Sequence, residues 1–597
     1  MPRARTHGWI GRHKALAAIL ALTAVIVVVG SVLAAKVWAE VSALIDLNNQ
    51  AAGISDLAGH PGSIAGTLTT VRAQAHAARD ASVDPVLLVA ERLPVLGDDI
   101  RALAAVSQTA AEMADTTVGL ERTLPELLAD GRLNLSAGAG LVSFTDELSA
   151  AADRGQARLS QASIGTLLPP LADKLTAART ALATTSRSTA ALRPYLEAMT
   201  ILVTPQPPRD WLIIMQNLDE ARSSGGLVSS WLILHSQDGR LSLVDKGSNT
   251  ALISSGPVDA KTLPVGYREI WGDSLTDWRS FNVAASFPDN ARVMMDAWNL
   301  RHRRQVDGVL ALGQGSVQYL AAAAGPLSIN GKTIAPDELT DYLTVGIYRD
   351  YPDPSRIDSA VTSLSSEVFS RIAAGHIDLR SLARAASAQP SADYLQLWSP
   401  RPDLQRRIVE SGLSGSFGPA EGPVAAVRLI NGGGSKLDVF SHLKLDYRLG
   451  ACQSDDVGNQ TRSSRLSVDL LNASPTAGLP AYMTARPDLV DQGVAAHRIV
   501  PGSNLEFIAI WLPRYATVTA STQDGATATV NEAMIGDRQL LVFRAELNPG
   551  QRTSVVVDWE EQARDDQDRP LPTTPSVSLP PLLNTAELGL HAGDACK

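Results

Sequence analysis

The sequence predicts a multidomain protein. We expect an N-terminal transmembrane helix, an extracytoplasmic helical bundle, an α/β layered middle domain and a C-terminal β-sandwich of immunoglobulin-like shape. Three observations predict this order. One uncharged run is long enough to cross a bilayer, helical periodicity dominates the segment after it, and short strand-like runs fill the last third of the 597 residues.

The apolar run at residues 15–35 holds 21 consecutive residues without a charge. It is preceded, in a tail at residues 1–14, by four basic residues: Arg3, Arg5, Arg12 and Lys14. Basic residues stay on the cytoplasmic side, so we expect a single-pass protein of the cell membrane with its bulk outside. A cleaved signal peptide is the alternative, although its apolar region is usually shorter, about 7–15 residues.

Residues 36–204 predict a helical bundle or stalk. Apolar residues recur there at intervals of three and four, as at Leu103, Val106, Ala110 and Met113. Small residues within these stripes allow helices to approach closely. A spacer that stands on the membrane anchor is the simplest role for this segment.

Residues 205–418 predict an α/β layered domain, because strand-like and helical patterns alternate. Trp211–Met215 is a buried-strand pattern, and Asp238–Gly239 is a hairpin signal. Residues 354–374 predict a helix with Asp353 as its N-cap and Pro354 at its first position.

Residues 419–562 predict the β-sandwich, because short strands recur there between turn residues. Residues 563–597 are polar and rich in proline, which is typical of a tail. The two cysteines, Cys452 and Cys596, both lie outside the membrane on this topology. We expect a disulfide that ties the tail to the sandwich; two unrelated free thiols are the alternative.

Composition and missing motifs exclude several functions. The net charge of −10 argues against a nucleic-acid partner. A single span argues against a transporter. The chain has no phosphate-loop or dinucleotide motif, no HExxH and no nucleophile elbow, and its histidines lack metal-ligand spacing.

Three loops of the middle domain carry the candidate site. The first, Gln216–Gly226, presents Arg222 with the supporting residues Asn217, Glu220, Gly225 and Gly226. The second, Gly272–Asn282, presents Arg279, with Asp273 or Asp277 as a metal ligand. The third, Tyr348–Arg356, presents Arg349 and Arg356, the latter in the first turn of a helix. Arginine forks suit phosphate or carboxylate; local ion pairs with neighbouring acids are the alternative.

Several ordered motifs resemble one family. QNLDEARSSGG, WGDSLTDWRSFNVAASFPDNARVM and VDGVLALGQGSVQYLAAAAGPLSINGKTIAPDELTDYL are similar to the family known as domain of unknown function 4012. The later NGGGSKLDVF is similar to it as well. The resemblance implies a membrane-anchored protein of Gram-positive, mainly actinobacterial, envelopes that is associated with exopolysaccharide genes. It implies no established activity.

A more distant similarity is to the LytR-CpsA-Psr envelope phosphotransferases, which attach glycopolymers from polyprenyl-pyrophosphate carriers to the cell wall. It implies phosphate binding by four arginines: Arg222, Arg279, Arg349 and Arg356. The acids that hold the metal in those enzymes are replaced here by Ser224 or Gly225 and by Ser280. A Mg²⁺ cofactor is therefore expected only if the protein is catalytic.

These patterns favour an envelope protein of surface glycopolymer assembly that binds an anionic or polyprenyl-linked, phosphorylated glycan. If the protein is catalytic, we expect it to be a phosphotransferase. The alternative is a non-catalytic envelope scaffold, or a glycan- or protein-binding module with other envelope proteins as partners. A glycosidase, with two carboxylates across a cleft, is a third hypothesis.

Overall fold

Helices and several mixed sheets alternate along the chain in the computed structural model. The structure describes residues 61–82, 97–127, 135–163, 167, 169–203, 207–329, 331–373, 395–417, 422–454, 460–514, 516–564, 569–579 and 582–594. The predicted membrane span at residues 15–35 lies outside these ranges. Within them, no helix combines the length and the apolar composition that crossing a membrane requires.

The first unit is helical. Its helices are α1 (Pro61–Ser82), α2 (Gly97–Asp115), α3 (Thr117–Leu127), α4 (Gly138–Ser160) and α5 (Pro169–Leu202). The predicted apolar stripes are confirmed, since Val106, Leu148 and Leu182 are all buried in one core. At Gly155 a Cβ atom would lie 2.4 Å from Thr109 Cγ2. The absence of a side chain at Gly155 therefore lets α2 and α4 approach closely.

The middle unit is built on one five-stranded sheet in the order β3-β2-β1-β4-β7. Its strands are β1 (Arg209–Arg222), β2 (Gly225–Gln237), β3 (Arg240–Ser248), β4 (Gly308–Gly313) and β7 (Leu395–Trp398), and Leu327–Ile329 (β5) pairs with Lys332–Ile334 (β6). β1 pairs with β2 in antiparallel and with β4 in parallel orientation.

Helices cover both faces of this sheet. They are α6 (Asn249–Ser254), α7 (Val265–Trp271), α8 (Phe287–Arg301), α9 (Gln314–Ala324), α10 (Leu339–Asp341), α11 (Ile347–Asp350), α12 (Pro354–Ala373) and α13 (Pro402–Glu410); a π-helical turn at Tyr342–Gly346 joins α10 to α11. Because side chains alternate along β1, Trp211 and Ile213 face α5 and α12, whereas Leu212 and Ile214 face α8. The Trp211 indole donates to the Leu202 carbonyl, 3.1 Å away, which fixes the end of α5 against the sheet.

The last unit consists of two sheets that share one core. The six-stranded sheet has the order β13-β12-β16-β10-β9-β18 and the five-stranded sheet the order β14-β15-β11-β8-β17. The strands are β8 (Val424–Asn431), β9 (Ser441–Ser454), β10 (Gln460–Asn472), β11 (Asn504–Trp511), β12 (Thr517–Gln523), β13 (Ala526–Thr527), β14 (Asn531–Ile535), β15 (Arg538–Leu547), β16 (Arg552–Gln562), β17 (Ser576–Ser578) and β18 (Glu587–His591). Val468, Ile510 and Trp559 are fully buried between the two sheets.

Residues 563–597, for which the sequence predicts a tail, contribute one strand to each sheet of the sandwich. β17 pairs in parallel with β8, and β18 pairs in parallel with β9. Cys452, on β9, is disulfide-bonded. Its expected partner, Cys596, lies outside the described residues, so this pairing stays a prediction.

The outer face of the sandwich's five-stranded sheet, which contains β8 and β11, packs against the helices of the middle unit. Ala426 and Trp511 from this sheet share a core with Phe281 and Trp298. At the edge of this contact, Gly266 on α7 lies so close to β14 that a Cβ atom would be 2.3 Å from the Met534 carbonyl oxygen. The two units are therefore joined by a packed interface.

We predict that Gly266→Ala lowers the free energy of unfolding, because the added methyl group meets a backbone oxygen that cannot rotate away. Overpacking of this kind costs about 1–3 kcal/mol. Gly66→Ala is the matched control, since nothing lies within 4 Å of its Cβ position in α1. It should be neutral or stabilise the protein by up to about 1 kcal/mol. Thermal unfolding, followed by tryptophan fluorescence, compares the two variants. Equal unfolding midpoints would refute the close packing of α7 against β14.

Candidate functional site

A cavity of about 870 Å³ lies between the middle unit and the sandwich. The middle unit contributes the end of β1, the start of β2, and parts of α6, α9 and α12. The sandwich contributes Gly434, Lys436 and the connection between β10 and β11, which lines the cavity from Ala481 to Pro501. The size is that of a typical small-molecule site.

We call the apolar lining residues of the cavity its apolar wall and the group of polar ones its polar end; the acids Asp358 and Asp491 also line the cavity. The apolar wall includes Leu227, Ile253, Val317, Leu343, Ile357, Val361 and Leu364. The polar end includes Asn217, Glu220, Arg279, Gln314, Tyr348, Lys436 and Tyr482. The cavity therefore has the chemistry to hold a molecule with an apolar part and a polar head.

The hairpin between β1 and β2 builds the polar end. β1 is irregular between Asn217 and Ala221, so the alternation of its side chains is interrupted there. Gly225 has a φ of 140°, and a Cβ atom on Gly226 would lie 1.8 Å from the Asn217 carbonyl oxygen. The two glycines that the sequence singled out thus let β2 approach the irregular end of β1.

A hydrogen-bond network beneath the cavity fixes these side chains. Asn217 Nδ2 donates to Tyr348 Oη at 2.8 Å, and Gln314 Nε2 donates to Asn217 Oδ1 at 3.0 Å. Tyr348 Oη in turn donates to Asp219 Oδ2 at 3.0 Å. Burial raises the pKa of Asp219 well above its usual value, which favours its neutral carboxyl.

Glu220 links the two units by binding two cations. Its Oε1 accepts from Arg222 Nη2 at 3.0 Å, and its Oε2 accepts from Lys436 Nζ. All three residues are buried. Burial lowers the pKa of Lys436 to about 8 and that of Arg222 to about 10.

A carboxyl pair extends this cluster into the sandwich. Asp438 Oδ2 accepts from the Ala221 amide at 2.6 Å, and Asp438 Oδ1 accepts from Asn504 Nδ2 at 2.7 Å. Asn504 Nδ2 also donates to Glu506 Oε1 at 2.7 Å. Burial raises the pKa of both Asp438 and Glu506. The charge of Asp438 raises the pKa of Glu506 further.

The structure brings two of the four predicted arginines together. Arg222 Nε donates to the Arg279 carbonyl at 2.8 Å. Arg279 lines the cavity, and its half-exposed side chain holds Asp277 through Nε at 3.0 Å and Nη2 at 2.6 Å. Arg222 is instead 5% exposed, and its remaining contacts are to the Ala221 and Asn431 carbonyls and to Glu220. Arg222 therefore joins backbone segments, whereas Arg279 faces the cavity.

The other two arginines lie elsewhere. Arg349 and Arg356 are exposed and do not line the cavity. Asp353 accepts a hydrogen bond from the Ser355 amide at 3.0 Å at the start of α12, as predicted for an N-cap. In the described part of the chain, no three or more His, Cys, Asp or Glu side chains are grouped as a metal site would require. Metal binding by Asp273 or Asp277 stays a prediction.

Sequence reasoning missed Lys436, Gln314, Tyr482 and the Ala481–Pro501 wall. Lys436 lies in the NGGGSK motif, whose sequence indicates a family resemblance and no contact with the middle unit. Its partner Glu220 is 216 positions away. Nothing in the local pattern of either residue predicts such a contact.

We predict that Glu506→Gln flattens the pH dependence of stability. Because burial raises the folded-state pKa of Glu506, its stabilising contribution is full below the usual carboxyl pKa and is lost as the pH rises through the raised value. A glutamine amide does not titrate, so the variant keeps its free energy of unfolding over this pH range. The wild type loses about 1.4 kcal/mol per pH unit for each proton. Denaturant unfolding at pH 5 and pH 8 measures the difference. Glu560→Gln, an exposed position on β16, is the control and should follow the wild type; equal slopes in all three proteins would contradict the prediction.

The comparisons with known proteins concern the middle unit. No curated protein matches the chain. Residues 206–348 match the family model described as "Protein of unknown function (DUF4012)". This segment contains Asn217, Glu220, Arg279, Gln314 and Tyr348, which form the middle-unit part of the polar end. The resemblance to this family is therefore confirmed over residues 206–348, whereas NGGGSKLDVF lies outside the matched residues; the family description assigns no function.

Proposed function

We propose that this protein is a membrane-anchored binding protein of the bacterial envelope that receives a polyprenyl-linked, phosphorylated glycan during surface glycopolymer assembly. The cavity between the two units carries this proposal, because it combines a long apolar wall with a polar, partly cationic end. The anchor at residues 15–35, the actinobacterial envelope and the immunoglobulin-like character of the sandwich are parts of the same proposal, taken from the sequence.

The apolar wall suits the hydrocarbon part of the ligand. Leu343, Ile357 and Leu364 are buried in the core of the middle unit and also face the cavity. Burial of a hydrocarbon chain against such side chains is worth about 25 cal/mol per Å² of apolar surface. The wall therefore provides affinity with little selectivity for the ligand's exact structure.

The polar end suits the head of the ligand. Arg279 is the most exposed of the cavity's cations, with 54% of its side chain accessible, compared with 11% for Lys436 and none for Arg486. Its Nε and Nη2 hold Asp277, which leaves the Nη1 edge of the guanidinium to approach a phosphate. The Tyr482 ring, 5.8 Å from Lys436 Nζ, adds an aromatic surface beside this head position.

Binding has more support than group transfer. The resemblance to phosphotransferases assigns Arg222 to the phosphate, but its guanidinium is occupied by protein carbonyls and Glu220. The metal-holding acids of those enzymes are replaced by Ser224 or Gly225 and by Ser280. A non-catalytic carrier or presenting protein needs neither feature.

We predict that Val361→Trp weakens binding of a short-chain polyprenyl phosphate by tenfold or more, about 1.4 kcal/mol, because the indole fills the apolar side of the cavity. Ser363→Trp, an exposed position on the same helix, is the matched control and should bind like the wild type. Isothermal titration of the full chain in detergent measures both. Equal affinities would remove the cavity as the binding site.

We predict that Arg279→Gln weakens binding of the polyprenyl phosphate about tenfold and leaves binding of the corresponding alcohol unchanged. A hydrogen bond to a charged group contributes about 1.5–3 kcal/mol. Arg349→Gln, an exposed arginine away from the cavity, is the control. If the wild type binds the polyprenyl phosphate and the polyprenyl alcohol equally well, the charge of the head does not contribute to binding. A scaffold or protein-binding role is then the better hypothesis.

A further inference from the structure

Arg209, the first residue of β1, is buried without a partner for two of its nitrogen atoms. The residue is 3% exposed, and neither Nε nor Nη1 has a hydrogen-bond partner in the structure as described. Burying a charge without a partner is strongly unfavourable. Such a group calls for a bound species that completes its hydrogen bonds.

Arg209 lies where the helical unit joins the middle sheet. Side chains two positions apart share a face of a strand, so Arg209 is on the same side as Trp211, which binds the Leu202 carbonyl at the end of α5. α13 packs against the same face through Leu404 and Ile408. The cavity lies at the other end of β1, about 20 Å away along the strand, so this position is separate from the proposed ligand site.

A second arginine, Arg401, follows β7 at the same edge of the sheet, where Ser399 Oγ donates to the Asp307 carbonyl at 2.8 Å. The Arg401 side chain is 39% exposed and pairs with Asp403 Oδ1 at 3.5 Å, while its Nε atom lacks a hydrogen-bond partner in the described residues. Burial lowers the pKa of Arg209, and the positive charges of Arg401 and Arg407 lower it further, so these guanidinium groups repel that of Arg209. Asp307 and Asp403 act in the opposite sense, but neither forms an ion pair with Arg209 in the described structure; Asp307 Oδ2 accepts from the Asp210 amide at 2.9 Å.

We propose that Arg209 and Arg401 together bind one tetrahedral oxyanion, a phosphate group, at the junction of the helical unit and the sheet. Arg209 supplies two buried, unpaired nitrogens and Arg401 supplies a second guanidinium at the partly exposed edge, which together match the oxygens of a phosphate. The anion removes their mutual repulsion and compensates the burial of Arg209. The phosphate comes either from free inorganic phosphate or from a phosphorylated sugar. Because α5 ends here, the bound anion stabilises the junction between the two units.

Thermal unfolding of the full chain tests this proposal. The midpoint is measured while sodium phosphate, or glucose 1-phosphate in a second arm, replaces sodium chloride at constant ionic strength. The wild type should show a saturable rise. A rise with inorganic phosphate identifies the free anion as sufficient, and a rise with glucose 1-phosphate alone identifies a sugar-linked group.

Arg209→Met and Arg401→Gln should weaken the phosphate response tenfold or more. Without phosphate, Arg209→Met should be at least as stable as the wild type, because it removes an unpaired buried charge; a purely structural arginine would make this variant less stable in every buffer. Arg304→Gln is the control, since Arg304 lies near the same end of β1 but pairs with Asp210 at 2.6 Å. If Arg209→Met does not fold, Arg401→Gln decides. The absence of a saturable response, or equal responses in Arg401→Gln and Arg304→Gln, would overturn the proposal.

Discussion

The buried contact of Glu220 with Arg222 and Lys436 joins the middle unit to the sandwich beside the cavity. It brings a strand end of the middle unit and a loop of the sandwich to one buried carboxylate. The cavity exists only because these two units meet at this point, since each supplies part of its wall. Removal of one partner would leave the other charge buried and unpaired, which is far more costly than loss of a surface ion pair. The position of the cavity is therefore coupled to a buried charge cluster, two members of which, Glu220 and Lys436, also line its polar end.

The same cluster explains the roles of the two central arginines. Arg222 and Arg279 are adjacent, since the first donates to the carbonyl of the second. They differ in exposure: Arg222 is enclosed by carbonyls and Glu220, whereas Arg279 projects into the cavity with Asp277 as its only side-chain partner in the described residues. A buried arginine fixes the backbone, and an exposed one beside it is thereby held in a constant position. This division of roles supports the proposal that the site recognises a charged head and performs no chemistry on it.

Local patterns were sufficient for most of the fold. The stripe through Val106 and the N-cap at Asp353 depend on neighbours three or four positions away, so periodicity and capping chemistry predicted them. The two strands within residues 563–597 were missed, because their short, polar sequences pair with β8 and β9 only through the tertiary fold. The candidate site shows the same difference between local and tertiary contacts. The arginine loops were visible as motifs, and the local alternative, an ion pair with a neighbouring acid, is what the structure shows for Arg222 with Glu220 and for Arg279 with Asp277. The contact of Glu220 with Lys436, 216 positions away, could not be predicted from either local pattern.

Residues 206–348, which match DUF4012, supply one part of the cavity lining, and residues after 348 supply the other. Residues 206–348 supply Asn217, Arg279 and Tyr348 at the polar end, whereas Lys436 and the Ala481–Pro501 wall lie outside the match. If the head of the ligand is read at the polar end, its recognition depends mainly on the family segment. The apolar wall lies in the middle unit, partly within the matched residues (Leu227, Ile253, Val317 and Leu343) and partly on α12 (Ile357, Val361 and Leu364). A change of ligand chain would therefore require changes along this wall, and a change of head group would require changes near Arg279.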